Sequence, residues 1–573
     1  MNWILTYLKP LRARIIKGVS VKILGTVAEL MIPFLLSYIL EHVIVSNSAP
    51  HILLYGALMV ACAVIACIGN ITANRMAAKT TMLFSTGMRR DLFSRTLHLS
   101  ARSTDRFTIP SLESRITTDT YHVQNFVGVM QRMGIRAPIL LLGGSIITLI
   151  MDRKLALVMI VTMPLIFGVV YGISRMGVPL YARVQQAVDG MVRIVREDAQ
   201  GIRVIKALSK EGFESARYDR ANRQLRSSET RAGTIMGIVN PVMTLLMNTG
   251  IVTVIGVSAW FVSQGRSSVT TVIAFMQYFT LISMAMMSLS RLFVMYTKCA
   301  ASAKRIASVL EEESELALRT DDGRGEADEH ISFENVSFSY LGKGKNLTDI
   351  SFRLGRGQTL GIIGATGSGK STILRLLMRF YDADEGTIRI RGRDVRSYTR
   401  EELTGLFGVV FQNDFLYADT IEENIRFGRD ISREEIERAA KIAQAHPFIT
   451  AFPDGYGHRI STGGTNLSGG QRQRVLISRA IAGRPDILIL DDSSSALDYR
   501  TDASLRRALA EELPDSTVIT VAQRVSSVKG CDLILVIDEG AVIGCGRHED
   551  LMETCAEYRE ISDSQMGGAF LDD

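Results

Sequence analysis

The stretch GATGSGKST, Gly364–Thr372, lies between the apolar run TLGIIG and a helix-forming run, and it fits the spacing G-x-x-x-x-G-K-[ST] of a phosphate-cradling loop. Gly364, Gly367 and Gly369, with Ala365, Thr366 and Ser368 between them, let the backbone curl so that amide N–H groups and a helix N-terminus face the phosphates. Lys370 is then placed to reach the β and γ phosphates, and the Ser371 hydroxyl, followed by Thr372, to bind Mg²⁺. A second group is Asp491, which ends the apolar run ILIL. Its carboxylate emerges at the carboxyl edge of a sheet, where the phosphate loop must also open, and is a natural Mg²⁺ partner. The third is LSGGQ, Leu467–Gln471, ahead of the helix-compatible RQRVLISRAIAG. Ser468 and Gln471 have capping-box spacing, and Gly469 and Gly470 keep side chains away from the first exposed amides. Such a helix end suits an anion, although a plain structural cap explains it on local grounds.

These groups need a sheet to hold them, and the sequence supplies one only in its second half. From ISFENVSFSY at 331–340, strand patterns of period two alternate with helical ones, an α/β nucleotide-binding pattern. Before it, EEESELALRTDDGRGEADEH at 311–330 is acidic and without apolar period, and reads as a linker. The first 310 residues differ in kind. The chain has 573 residues, 47% hydrophobic and 22% charged, and the apolar ones concentrate here. Six stretches approach or exceed the ~20 residues that cross a bilayer as helix. They lie at about 18–45, 51–74, 126–150, 154–180, 234–263 and 269–296. Runs such as APILLLGGSIITLIM leave no polar face to meet water, which argues against buried helices of a soluble core. The expected fold is therefore a six-span α-helical transmembrane domain over 1–310, an acidic linker over 311–330 and an α/β phosphate-loop nucleotide-binding domain over 331–573.

Lys and Arg set the expected orientation. Lys9, Arg12, Arg14 and Lys17 precede the first span, and the connections near 75–124 and 181–233 are rich in Arg. SNSAPH, between spans one and two, has no Lys or Arg, so both termini and the nucleotide-binding domain are expected in the cytoplasm of a bacterial plasma-membrane protein. DRK at 152–154 runs against this topology. The N-terminus offers no signal-peptide cleavage site, and Trp3, Leu5 and Leu8 mark a short interfacial helix. The net charge of +6 sits largely in the cytoplasmic loops, so nucleic acid is not an expected partner. Cys62, Cys67, Cys299, Cys531, Cys545 and Cys555 form no metal-type pair and are expected reduced.

The phosphate loop, LSGGQ and the Asp-ending strand, in this order and after six spans, resemble the ATP-binding cassette (ABC) family, and the whole chain looks like a half-transporter of its multidrug-exporter branch. The resemblance implies a transport ATPase that uses ATP and Mg²⁺. It also implies two facing cassettes, each ATP lying between the phosphate loop of one and the LSGGQ helix of the other. By the same resemblance Tyr340 stacks on adenine, although a core aromatic in a strand fits its position equally. Gln412 in VVFQND touches Mg²⁺, SALD at Ser495–Asp498 crosses to the opposite site, and SRITTD (Ser114–Asp119) and GIRVIKAL (Gly201–Leu208) are coupling segments.

Two positions depart from the family pattern. Its catalytic base is a Glu directly after the Mg²⁺ Asp, and here it is Asp492, shorter by one carbon–carbon bond of about 1.5 Å. A base must sit within about 2.6–3.2 Å of its water, so the loss is serious. Its switch histidine is replaced by Gln523 in VAQR, which cannot titrate. Both changes strike one ATP site while the phosphate loop and LSGGQ stay intact. The expectation is the degenerate half of a heterodimeric exporter, paired with a non-identical half-transporter whose site LSGGQ completes. STGGTN ahead of the signature also lacks the family's usual acid.

For the cargo, a small amphipathic compound, lipid or peptide, the sequence offers less. Glu29 lies inside the first span, where an ionisable group is either a recognition element for cations or a hydrogen-bonded packing residue. Met276, Met284, Met286, Met287 and Met295 give span six an adaptable surface, or simply pack. Uptake on the same architecture and an ATP-gated channel or regulator are the alternatives to export.

Overall fold

In the computed structural model the chain divides into two compact units, Met1–Leu97 with Phe107–Glu312 and His98–Arg106 with Glu313–Asp573. The structure describes residues 2–44, 48–264, 269–312, 316, 318–319, 329–340, 344, 346–493 and 495–567, so most of the acidic stretch 311–330 lies outside the described residues.

The first unit is built on α1 (Arg12–Tyr38), α2 (Ala49–Leu97), α3 (Thr120–Met151), α4 (Arg153–Ala207), α5 (Glu211–Gly237), α6 (Val239–Ser263) and α7 (Val269–Leu310). Five helical stretches among the described residues are long and apolar enough to cross a membrane: Trp3–Val43, Ala49–Leu97, Ile109–Met151, Thr244–Phe261 and Thr270–Leu289. The other expected span, 154–180, is the first part of α4, several of whose side chains lie outside the described residues. DRK supplies the start of that helix: Asp152 accepts from the backbone N–H of Lys154 (2.9 Å) and Leu155 (3.3 Å). With 49 residues, α2 is about 70 Å long, more than twice the hydrocarbon thickness, so part of it extends beyond a bilayer.

Close packing explains the small residues of these spans. A Cβ added to Gly69 on α2 would stand 3.0 Å from the Gly25 Cα on α1, so only glycine lets the two backbones approach this closely. Leu30, Ala137, Leu140, Phe275, Tyr278 and Phe279 form the core of the unit, and the Tyr278 hydroxyl donates to the Leu30 carbonyl at 2.6 Å. Of the span-six methionines, Met286 is in this core and Met287 packs against it, whereas Met284 is exposed.

The structure adds to two expectations for this unit. Glu29 is ion-paired with Arg136, which matches the hydrogen-bonded alternative of the two left open for it. Ser114–Asp119 belongs to the helical unit: Ser114, Thr117 and Thr118 are exposed, whereas Asp119 is buried and accepts from Ser302 Oγ (2.9 Å) and Arg305 Nε (2.8 Å) of α7. The earlier segment His98–Arg106 is the one that belongs to the second unit, where Ala101 packs on its core and Asp105 accepts from the Tyr381 hydroxyl.

Among the described residues the second unit contains ten strands: β1 (Glu329–Phe338), β2 (Leu347–Gly355), β3 (Thr359–Ile363), β4 (Glu385–Ile390), β5 (Arg393–Asp394), β6 (Phe407–Val410), β7 (Ile487–Asp491), β8 (Thr517–Val521), β9 (Leu533–Asp538) and β10 (Ala541–Gly546). An antiparallel sheet runs β2-β1-β4-β5; a second sheet runs β10-β9-β3-β8-β7-β6 and is parallel from β9 to β6. All five residues of β7 are buried, as in a parallel strand covered on both faces. In the register Ile362 and Asp491 both pair with Val521, so the phosphate loop after β3 and the Asp491 carboxylate reach the same sheet edge one strand apart.

His330 on β1 ties the two sheets together through Nδ1, 2.6 Å from Thr517 Oγ1 on β8. Burial, reinforced by Arg391, pulls its imidazole below the usual range, so the folded unit resists a proton that the unfolded chain takes up near pH 6.5. Stability is therefore present above that pH and falls below it. Thermal unfolding of the purified chain from about pH 7.5 to about pH 5.5 should show this fall, and His330→Gln, which cannot titrate, should flatten it.

Candidate nucleotide-binding site

The phosphate loop is set by backbone conformation before any side chain acts. Gly364 has φ +156°, and a Cβ there would lie 2.0 Å from the Ile537 carbonyl oxygen; at Gly369, with φ +106°, it would lie 2.7 Å from Leu347. Both positions exclude any larger residue. Helix Lys370–Leu377 starts directly at the loop. Lys370 Nζ donates to the carbonyls of Gly364 (2.8 Å) and Ala365 (2.6 Å), folding its charge over the loop. Ser371 Oγ donates to Asp491 Oδ2 at 3.0 Å, across 120 residues of chain.

A cavity of about 290 Å³ opens here, lined by Thr366, Gly367, Gly369, Lys370, Ser371 and Thr372 of the loop, by Asp491, Asp492, Gln412 and Gln523, and by Tyr340 at its edge. Gly364 and Ala365 act instead through the carbonyls that hold Lys370, and Ser368 Oγ is buried without a hydrogen-bond partner among the described residues. Tyr340 packs edge-on against Phe338 (4.9 Å) and Tyr381 (5.1 Å), and its hydroxyl donates to Thr372 Oγ1 (3.2 Å) and accepts from Arg375 (3.1 Å). It is thus part of an aromatic cluster that presents one partly buried ring to the cavity.

The donor set suits Mg²⁺, a hard cation that takes few protein oxygens alongside phosphate oxygens. Ser371 and Asp491 supply a hydroxyl and a carboxylate, with the Gln412 amide at the rim. Burial holds the Asp491 carboxyl above its usual range against the pull of Ser371 and Lys370, and burial pulls the Lys370 ammonium below its own. A divalent cation and a phosphate would offset both penalties.

Asp492 departs from its strand with φ +50°, its N–H bonded to the Val521 carbonyl at 2.9 Å. Asp tolerates this left-handed conformation better than most residues. Its Oδ2 accepts from Gln523 Nε2 (3.2 Å) and Gln412 Nε2 (3.4 Å), so neutral amides face both lone pairs of that oxygen. Gln523 is itself held from behind: its carbonyl accepts from Gln565 Nε2 at 2.8 Å, while Gln565 Oε1 accepts from the Val525 N–H at 2.8 Å. No sequence motif marked Gln565 or the cavity-lining Asn346, because their roles arise from contacts with segments distant in the chain.

Ser468 forms both halves of the capping box with Gln471, N–H to Oε1 at 3.0 Å and Oγ to N–H at 3.3 Å. Gly470 packs against the SALD loop, where a Cβ would meet the Ala496 carbonyl at 3.1 Å. None of Ser468, Gly469, Gly470 and Gln471 lines the cavity formed by the chain's own phosphate loop.

The ABC transporter transmembrane region family matches residues 15–286, and the ABC transporter family matches residues 347–495. An uncharacterised ABC transporter ATP-binding protein of Mycobacterium tuberculosis is 31% identical over 570 residues, covering 98% of this chain and 97% of the relative. The chain belongs to the ABC transporter family. Another ABC relative, YfiB of Bacillus subtilis, is 33% identical over 574 residues and covers 99% of each chain. A solved structure described as a bacterial Atm1-family ABC exporter with ATP bound superposes with a TM-score of 0.83 at 25% identity, over 96% of this chain and 98% of that one. The fold is therefore that of an ABC exporter half-transporter, a helical transmembrane domain followed by an α/β nucleotide-binding domain, and its cassette is of the kind that binds ATP with Mg²⁺ to drive transport.

Ser371→Ala removes the hydroxyl bonded to the buried Asp491. A hydrogen bond to a charged group contributes about 1.5–3 kcal/mol, so affinity for a fluorescent ATP analogue with Mg²⁺ should fall roughly ten- to hundredfold. Binding measured with excess EDTA should change much less.

Proposed function

We propose that this chain is the degenerate-site subunit of a heterodimeric ABC exporter. Its domains run over 1–310 and 331–573, joined by the acidic linker, with the nucleotide-binding domain and both termini on the cytoplasmic side of a bacterial plasma membrane. ATP binds at its own loop, through Lys370, Ser371 and the glycines, with Tyr340 stacking on adenine and Gln412 and Asp491 at Mg²⁺, and turns over slowly or not at all. Its Ser468, Gly469, Gly470 and Gln471 complete the site of a non-identical partner, and hydrolysis there drives export of a small amphipathic compound, lipid or peptide.

The environment of Asp492 carries this reading. A general base needs a free oxygen within about 2.6–3.2 Å of the attacking water. Here the carboxylate is one bond short, and its Oδ2 is engaged by Gln523 and Gln412. Gln523 holds Asp492 as an amide donor and carries no titratable proton, so no imidazole is present to bind developing charge. The groups that bind nucleotide survive while those that would activate water do not. The position of the signature residues, away from their own chain's cavity, supports their service to a second cassette.

In the assembled complex, Asp492→Glu with Gln523→His should raise ATP turnover by restoring the second site. Removing the partner's catalytic Glu should abolish turnover, whereas Asp492→Ala should only reduce it. Equal losses from the partner substitution and from Asp492→Ala would overturn the asymmetric reading.

A further inference from the structure

The helical unit holds a charge cluster that nucleotide chemistry leaves unused. Lys22 on α1 is 4% exposed, and its Nζ donates to Asn70 Oδ1 at 2.7 Å and Asn74 Oδ1 at 3.2 Å, both on α2. These are neutral amides, and among the described residues no carboxylate stands within ion-pair distance of Lys22. Glu29, two turns further along α1, is committed to Arg136 of α3 by a two-pronged pair, Nε to Oε2 at 3.2 Å and Nη2 to Oε1. Arg132, one turn before Arg136, is exposed, and its Nε donates only to the Gly128 carbonyl at 3.1 Å. Arg132, Arg136 and Glu29 all lie near enough to Lys22 to act on its charge. Three cations thus share one anion.

Lys22, Glu29, Arg132 and Arg136 all fall within stretches long and apolar enough to cross a membrane. Charged side chains on spanning helices face the bundle interior or water-filled space, not acyl chains. The open side of Arg132, and of Arg136 at 43% side-chain exposure, therefore calls for a polar surrounding, water or protein, in place of acyl chains. A buried cation without a counter-charge is costly in low dielectric. Neutral amides satisfy the donors of Lys22 but leave its charge, and the guanidinium of Arg132 is a planar donor suited to an oxyanion.

We propose that this cluster is a cargo-docking site that takes the anionic head of an amphiphile, a carboxylate, sulfonate or phosphate, with Arg132 and Arg136 as the contacting groups and Lys22 as the buried charge behind them. The apolar part of the cargo lies along the surrounding span surface. Glu29 is the internal counter-ion that orients Arg136. The inference rests on the export reading for the word cargo, and its test is made without nucleotide so that the two fail separately.

The assembled transporter is placed in phosphatidylcholine nanodiscs without ATP, and equilibrium binding of radiolabelled taurocholate is compared with that of the cationic dye rhodamine 6G. Taurocholate should bind, and its Kd should rise at least tenfold in Arg132→Gln and in the paired variant Glu29→Gln with Arg136→Gln, while rhodamine 6G binding stays unchanged. Arg132→Lys should retain most of the affinity. The paired variant removes both members of the Glu29–Arg136 ion pair together, and its unfolding temperature reports whether the fold persists; Arg132 is exposed, so its variant is the independent arm. Phosphatidylglycerol that competes with taurocholate identifies a lipid head group as the anion; its failure to compete identifies a soluble one. Binding of neither anion, preference for the cation, or unchanged taurocholate affinity in both variants would overturn the proposal. Failure of ATP-driven export in sided vesicles with anion binding intact would overturn the export reading alone.

Discussion

One hydrogen bond organises the nucleotide-binding unit: Ser371 Oγ to the buried Asp491 carboxylate at 3.0 Å. It joins two segments that have no local reason to meet, and the sheet order β3-β8-β7 is what brings them together. A parallel strand buried on both faces can be built from apolar residues alone. The single acid at the end of β7 is tolerated because it emerges at the sheet edge beside the phosphate loop. Asp492 inherits its place from the same constraint. Its N–H is fixed to β8 and its backbone turns through the left-handed region, so the length of its side chain decides how far the carboxylate reaches.

The account of asymmetry follows from which interactions are backbone-encoded and which depend on one atom. The phosphate loop works through glycine conformations and carbonyls, as in the two contacts that hold Lys370, and remains whole. Water activation, on the proposed reading, depends on the reach of one carboxylate, and here amides of Gln412 and Gln523 engage Asp492 Oδ2. Gln565 then locks the Gln523 segment against the last helix. On the proposed reading, loss of one bond length and one titratable ring disables a step without disturbing the binding groups around it.

Features legible in the sequence were those whose physics is local. The phosphate loop needs glycines at set spacing, the Ser468 box spans three residues, and five of the six spans are apolar runs on helices that meet the criteria for crossing a membrane. Features that depend on contact order were not legible. Glu29 could be either a cation-recognition element or a hydrogen-bonded packing residue by sequence, because its partner Arg136 is 107 residues away and only the packing of α1 on α3 joins them. The resemblance marks Ser114–Asp119 as a coupling segment but gives no sign that Asp119 is held by Arg305 some 186 residues on, or that His98–Arg106 groups with the second unit. Tyr340 shows the intermediate case: an aromatic two residues past β1 that both packs in a cluster and lines the cavity.

The two units share a physical logic on this reading, since each holds charge that a ligand would balance. Whether the nucleotide end works as one of two unlike sites is the central claim, and the composition of the intact complex tests it most directly. Native mass spectrometry of the complex, affinity-purified on this chain from its own membrane in mild detergent, should show one copy bound to one second, non-identical half-transporter. A homodimer of this chain would place Asp492 and Gln523 in both sites and contradict the account.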